Sequence, residues 1–323
     1  MPTQNFGLKT WKKCTRDCLA PDCDNPRIRR SPFRAAPSEK RFLNKYIKAI
    51  FRDERLVTEY FKRFARKYGQ QTLFESLCDI VESLGLYGGY EVRRKLIEAI
   101  PIRPDECVLD IGPQMGMGCF LLSEVYNRVL VAEPDATTAG LLKNIAEYYQ
   151  TEDGKKASDV LDIRRAGIIP VGSTDLAVLS DEGPIGPGLE YDARGAINVE
   201  DTFGRNFADR IFCHQICTLM SARPRLLVLL NSLSSFCNEG AVITWGEYLY
   251  EVEGVVQEYC KYANLELRRG KEKYHYRAAV LKYPMSEIKR HIKALLPDFD
   301  VAFKYLWGTG HLFTIAKHRR SLQ

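Results

Sequence analysis

Apolar residues change their spacing along the chain, and the change predicts two architectures in succession. From about Lys40 to Glu82 they recur every three or four positions, as in Phe42, Tyr46 and Ile50, then Leu56, Tyr60 and Phe64. That period puts them on one face of a helix and predicts amphipathic helices rather than strands. A further helix, TLFESLCDIVESLGL, stops at Gly85. Tyr87-Gly88-Gly89-Tyr90 then predicts a tight turn ahead of a short helix, EVRRKLIEAI. From Pro104 onward, short apolar runs alternate with amphipathic stretches, which is the pattern of a parallel sheet covered by helices. ECVLDIG reads as a first buried strand and MGCFLLSEVYN as the helix after it. RVLVAEP is the second strand, followed by the helix TTAGLLKNIAEYYQ, and RAGIIPVGS is the third strand. ADRIFCHQI reads as the fourth strand, PRLLVLLNSLSSFC as a helix and NEGAVITWGEYLY as the fifth strand. After a late helix, SEIKRHIKALLP, the runs VAFKYLW and HLFTIAKH flank Gly308-Thr309-Gly310 and predict a terminal antiparallel hairpin.

These elements predict an α/β fold: a doubly wound, mostly parallel seven-stranded sheet with a terminal antiparallel hairpin, preceded by an N-terminal helical cap. Three segments follow. Residues 1–38, with Pro21, Pro26, Pro32 and Pro37 among charges, form an irregular arm. Residues 39–95 form the cap, either a lid over a ligand or a packing surface. Residues 96–323 form the α/β domain, interrupted over 176–205 by a loop insertion rich in Gly, Pro and acidic residues, SDEGPIGPGLEYDARG.

Charge changes this picture only at the N-terminus. The net charge is +6, but the first 60 residues carry 14 Lys/Arg against 7 Asp/Glu, so the rest is near neutral. Such an arm suits phosphates or an acidic partner, or is a solvated tail, and both readings stay open. No run approaches the roughly 18 apolar residues of a membrane span. The opening MPTQNFGLKTWKKC lacks the apolar core of a secretory signal, so a cytoplasmic location is expected. Cys14, Cys18 and Cys23 are close enough in sequence to suggest a metal, but no fourth cysteine or nearby histidine completes a tetrahedral set. No metal site is expected.

The chemistry concentrates in VLDIGPQMGMG, residues 108–118. A buried strand leads into a turn at Gly112, and a helix begins near Gly116. Glycines let the backbone approach a ligand closely, and a helix start presents oriented N–H groups. Asp110 stands at the strand tip, where it can meet a cationic group. Glu133, followed by Pro134, ends the second strand, where a carboxylate can take both hydroxyls of a ribose.

VLDIGPQMG resembles the first motif of the class I S-adenosylmethionine-dependent methyltransferases, and LVAEP resembles their acidic second motif. The resemblance extends over about 85–317 and includes ADRIFCHQICTLM, NEGAVITW and the closing hairpin. It implies S-adenosylmethionine as cofactor, held by Asp110, Gly112, Gln114, Gly116, Glu133 and Pro134. Asp175, after IIPVGST, would lie near the adenine. Gln114 stands where the family has its middle glycine. LYGGYEVRRKLIEAIPIRPDECVLDIG is similar to small-molecule methyltransferases, which implies that Tyr87 and Gly88 lie near the methionine end and that the acceptor is a small molecule. A methyltransferase acting on RNA or protein docked by the basic arm is the second reading, and a non-catalytic binding module with this fold is the third.

Gly112-x3-Gly116-x-Gly118 also fits the loop of short-chain dehydrogenases. Their Tyr-x3-Lys pair is absent: none of the 17 tyrosines has Lys four residues later. Asp110 at the strand tip would also repel a pyrophosphate. For methyl transfer, His214 after the fourth strand is the candidate general base, with a positioning role as the alternative. The aromatics from Trp245 to Tyr276 are either an acceptor wall or core packing.

Overall fold

The computed structural model describes residues 37–53, 55–56, 89–113, 116–168, 197–214, 232–248, 263–269, 272–278, 290, 292–294, 296–306 and 311–319. Helix α1 (Pro37–Ile50) and helix α2 (Gly89–Ile97) precede the first strand. Strand β1 (Val108–Ile111), helix α3 (Met117–Ser123), strand β2 (Val129–Ala132), helix α4 (Ala136–Tyr148) and strand β3 (Leu161–Arg164) follow. Next come β4 (Ala166–Gly167), β5 (Ile197–Asn198), helix α5 (Val199–Phe203), β6 (Ala208–His214) and β7 (Cys237–Tyr248). The chain closes with β8 (Ala263–Arg269), β9 (Glu272–Ala278), β10 (Phe299–Leu306) and β11 (His311–His318).

Seven strands form one sheet in the order β10-β11-β7-β6-β1-β2-β3. β3, β2, β1, β6 and β7 run parallel, while β11 is antiparallel to both β7 and β10. The chain winds outward from β1 to β3, then returns to the other side of β1 at β6. The sheet is therefore doubly wound, mostly parallel and closed by an antiparallel hairpin, as the periodicity predicts. VLDI and VLVA are buried at every position, because a central parallel strand is covered on both faces.

Strand alternation divides the core in two. Val108, Val129, Val131, Ile163 and Phe212 face α1–α4, and Leu109, Ile111, Leu130, Ile211 and Ile243 face the other layer with Val199, Leu233 and Ile292. On the first side, α1 belongs to the core. Phe42 lies 5.8 Å from Tyr46 in a stacked pair, 5.4 Å from Tyr90 of α2 and 5.9 Å from Tyr149. Tyr46 meets Phe120 of α3 at 5.6 Å, and Phe120 meets Tyr149 at 5.1 Å. Beside this cluster the Lys45 Nζ donates to Glu124 Oε1 at 2.6 Å, and the Tyr149 hydroxyl donates to the same carboxylate.

Three local elements differ from the sequence expectation. The third sheet strand is LDIR rather than RAGIIPVGS: Leu161 and Ile163 face the core, Asp162 and Arg164 face out, and Ala166–Gly167 pairs instead with Ile197–Asn198. A half-exposed edge strand alternates polar with apolar and hides from a search for continuous apolar runs. Within the expected loop, Asn198 caps α5 by accepting from the Glu200 N–H at 3.2 Å. β8 and β9 form a separate antiparallel hairpin that the sequence reading left as undivided aromatic chain.

Phe120 is fully buried at the junction of α1, α3 and α4, so Phe120→Ala should cost about 3–5 kcal/mol through lost burial and the cavity left behind. Urea unfolding of the two proteins measures this; a loss under about 1 kcal/mol would mean that the aromatic cluster collapses to fill the gap.

Candidate functional site

The doubly wound order creates a switch point between β1 and β6, where the connections leave in opposite directions. In open α/β sheets ligands bind in the crevice at the carboxyl ends of such strands. The register shows which residues meet there. Ile111 is level with Ala132 on one side and Cys213 on the other, so Gly112, Glu133 and His214 follow in line across three strand ends. His214 is in turn paired with Gly246. A cleft at this edge is lined by Arg93, Leu96 and Ile97 from α2, Asp110, Gly112 and Pro113 from β1 and its turn, Gly118 and Leu122 from α3, and Phe212 and Cys213 from β6.

The turn after β1 is built by glycine. Gly112 has φ 63° and Gly116 φ 82°, both left-handed, where a side chain strains the backbone. Gly112 N–H donates to Ala132 O at 2.8 Å, continuing the ladder for one residue, and Gly116 N–H donates back to Pro113 O at 2.9 Å. Phe120 N–H then donates to Gly116 O at 3.0 Å, starting α3. A Cβ on Gly116 would sit 2.2 Å from Leu142 Cδ2 and 3.1 Å from Phe120 Cε2, so the close approach of α3 to α4 excludes any side chain there.

Asp110 is only 5% exposed, and its Oδ2 has no hydrogen-bond partner among the described residues. The Asp110 Oδ2 lies 3.4 Å, and the Arg93 Nε 3.8 Å, from where a Gly118 side chain would start. Burial pushes the Asp110 pKa up to about 7, against the pull of the Arg93 guanidinium. Burial also lowers the Arg93 pKa, and Asp110 raises it in return. Asp110 and Arg93 thus stand side by side in a desolvated cleft, with one carboxylate oxygen unmatched among the described residues.

Glu133 is buried at the tip of β2. Its Oε1 accepts the Asp135 N–H at 3.0 Å, and its own N–H donates to Arg164 O at 3.1 Å. Asp135, by contrast, is a helix cap: its Oδ1 accepts the Thr138 N–H at 2.8 Å and the Thr138 hydroxyl at 2.9 Å. Pro134 bridges the two carboxylates.

The structure therefore gathers Asp110, Gly112, Gly116, Glu133 and Pro134 around one edge and sets the backbone of His214 on the same edge. Tyr87, Gly88, Gln114 and Asp175 lie outside the described residues, as do residues 1–36 of the basic arm, whose last two residues, Pro37 and Ser38, open α1 instead of continuing the irregular stretch. Arg93 joins the cleft without having been singled out by any motif. Its signal was in the helix pattern: Tyr90, Leu96 and Ile97 form the buried stripe of α2, and Arg93 falls within that stripe rather than on the polar face.

A carboxyl whose pKa is higher in the folded protein than in the unfolded chain holds its proton preferentially when folded. For Asp110 the resulting stability is present below its ordinary value of 3.8 and is lost as pH rises to about 7. Asp110→Asn removes that loss, so the variant should gain on the wild type by on the order of 1 kcal/mol per pH unit across this window. Urea midpoints at pH 4.5 and 7.5 measure the difference; a gap independent of pH would show that Asp110 titrates as an exposed carboxylate does.

No protein-family model and no curated protein sequence matches the chain. Among solved structures, a methyltransferase from Aquifex aeolicus is similar at 13% identity and TM-score 0.41, over 73% of this chain and 92% of that one. CalS10, an amino pentose methyltransferase from Micromonospora echinaspora, is similar at 12% identity and TM-score 0.44, over 77% and 97%. Magnesium protoporphyrin IX methyltransferase from Synechocystis PCC 6803 is similar at 13% identity and TM-score 0.43, over 81% and 91%. The fold is read from the chain's own sheet: five parallel strands wound both ways from β1, a final hairpin antiparallel to them, and a glycine turn at the switch point. This is the Rossmann-like class I methyltransferase fold.

Proposed function

We propose that this protein is an S-adenosylmethionine-dependent methyltransferase acting on a small-molecule acceptor. One observation carries the reading: a buried Asp110 oxygen without a partner, beside a glycine turn at the switch point and one strand from a second buried carboxylate. The residues fit the cofactor. An unmatched carboxylate oxygen calls for a cation or a donor, and the amino-acid end of S-adenosylmethionine has an ammonium group. Gly112 and Gly116 add no side chain at either end of the turn. Glu133, fixed by the Asp135 N–H at 3.0 Å, is oriented for ribose hydroxyls.

When bound, the cofactor supplies a methyl group already activated on a sulfonium. What remains for the chain is alignment and exclusion of water. Asp110 and Glu133 would fix the ammonium end and the ribose of the cofactor, and α2 would close the cleft with Leu96 and Ile97. His214, at the tip of β6, is the residue to take a proton from an acceptor that holds one at neutral pH. The small-molecule acceptor is supported by the resemblance of residues 86–112 to small-molecule methyltransferases.

Calorimetry should show binding of S-adenosylhomocysteine, and Glu133→Ala should weaken it by roughly 1–3 kcal/mol through a lost charge-assisted pair. Unchanged affinity in that variant removes the ribose role of Glu133, and tight binding of NADH in place of S-adenosylhomocysteine overturns the function. With an acceptor that keeps its proton, His214→Ala should slow the chemical step by about 10²–10⁴-fold while cofactor affinity stays put. An unaltered rate would leave His214 no part in proton transfer.

A further inference from the structure

Six of the seven residues of α3 are buried, and Gly118 is the exception. It lines the cleft together with Arg93 of α2 and Asp110 of β1. The backbone does not require glycine there, because the left-handed glycines of this segment are Gly112 and Gly116. Packing does not require it either. A Cβ on Gly118 would stand 3.4 Å from Asp110 Oδ2, 3.7 Å from Arg93 Cδ and 3.8 Å from Arg93 Nε, all ordinary van der Waals contacts. At Gly116 the same carbon would meet Leu142 Cδ2 at 2.2 Å. An alanine therefore fits at 118 and would suit the helix better, since only proline is a poorer helix former than glycine. The chain keeps glycine where its own atoms leave room for more.

Charge defines what that room is for. Asp110 Oδ2 and Arg93 Nε both reach the spot, and Oδ2 is buried with no hydrogen-bond partner among the described residues. A closed bidentate pair would turn both carboxylate oxygens onto the guanidinium. With Oδ2 unmatched, the anion and the cation flank the opening. An α-amino acid carries an ammonium and a carboxylate on one carbon, so it complements an acceptor oxygen on one side, a planar set of N–H donors on the other and a bare backbone beneath. Leu96, Ile97, Leu122 and Phe212 line the rest of the cleft with hydrocarbon, which strengthens charge contacts made inside it.

We propose that Gly118 is a specificity-determining residue: the space left by its missing side chain receives the amino-acid end of the cofactor, with the ammonium at Asp110 Oδ2 and the carboxylate at the Arg93 guanidinium. The inference rests on the cofactor reading above and deepens it. It gives the carboxylate its anchor and makes the site select the whole amino-acid end as well as the nucleoside.

Three probes share the nucleoside and the thioether: S-adenosylhomocysteine, its decarboxylated analogue, which keeps the amine, and 5′-methylthioadenosine, which lacks both groups. Wild-type protein should prefer the first in calorimetry. Gly118→Ala fills the space with a methyl group and should melt no lower than the wild type. Its affinity for S-adenosylhomocysteine should fall about 10–100-fold, as the ammonium is pushed off Oδ2, and its affinity for 5′-methylthioadenosine should stay within about twofold. Arg93→Gln should weaken S-adenosylhomocysteine by about 10–100-fold and leave the decarboxylated analogue within about twofold, so that the preference between them is lost. Equal losses for S-adenosylhomocysteine and 5′-methylthioadenosine in Gly118→Ala, or no loss for either, overturn the proposal. So does Arg93→Gln with the wild-type preference for the carboxylate, a result that stands even if Gly118→Ala fails to fold. Wild-type protein that binds none of the probes overturns the cofactor reading itself, and this inference with it; binding of S-adenosylhomocysteine without the variant effects overturns the inference alone.

Discussion

A strand hydrogen-bonded on both edges and covered on both faces has no water to offer a charged side chain, and Asp110 lies on such a strand. β1 is paired to β2 and β6, and α2 and α3 cover the face toward which Asp110 points. Desolvating a carboxylate without full compensation is among the costlier things a fold can do. Arg93 offsets part of it and leaves Oδ2 unmatched. The surroundings follow from that arrangement. Gly118 keeps the space over Oδ2 clear, the two left-handed glycines carry the chain sharply away from the strand tip, and α2 brings the guanidinium back across it. A valine at 110 would continue the pattern of Val108 and bury without penalty. The polar exception in an apolar strand is what singles out this edge as the candidate site.

The first core explains why residues well ahead of the glycine turn bear on it. α1 and α2 could have stood apart as a cap, but Phe42, Tyr46 and Tyr90 are buried against Phe120 and Tyr149 in the same cluster as the sheet residues Val108, Val131 and Phe212. Burying aromatic rings of this size gives each about 1.5–3 kcal/mol of apolar stabilisation, whereas the exposed face of an isolated cap gives none. The ion pair between Lys45 and Glu124, at 2.6 Å and partly exposed, adds at most about 1 kcal/mol and serves to fix register more than to hold the helix. Packing carries α1, and through Phe120 it braces the helix that starts at the glycine turn.

The parts of this architecture that could be read from sequence are those where one physical requirement dominates. Continuous apolar runs such as VLDI and VLVA occur because a central parallel strand is buried on both faces, and the glycine turn is visible because the backbone there adopts φ values that other residues resist. Where two requirements compete, the reading slipped. LDIR is an edge strand, so its outward residues are charged and its apolar content is halved. β8 and β9 alternate polar and apolar residues on either side of Gly270-Lys271, a sequence pattern of a hairpin, but their tyrosines invite a reading as a pocket wall instead. Arg93 escaped notice for a different reason. Nothing in EVRRKLIEAI tells which of its two arginines faces inward until the position of Tyr90 in the core fixes the rotation of the helix.

That dependence of side-chain role on helix rotation bears on how the site is assembled. Asp110 and Glu133 are placed by the sheet, whose register is set by a ladder of backbone hydrogen bonds and tolerates little displacement. Arg93 is placed by a helix that packs its side chains against the core and belongs to no backbone ladder of the sheet, and packed helices can shift by small sliding motions. The two kinds of support suit different tasks. Transfer of a preactivated group is governed by alignment, and misplacement by about 1 Å costs some hundredfold in rate. The carboxylates that would set the cofactor's position therefore stand on the sheet. Arg93, over Gly118 beside Asp110, stands on the support that can yield.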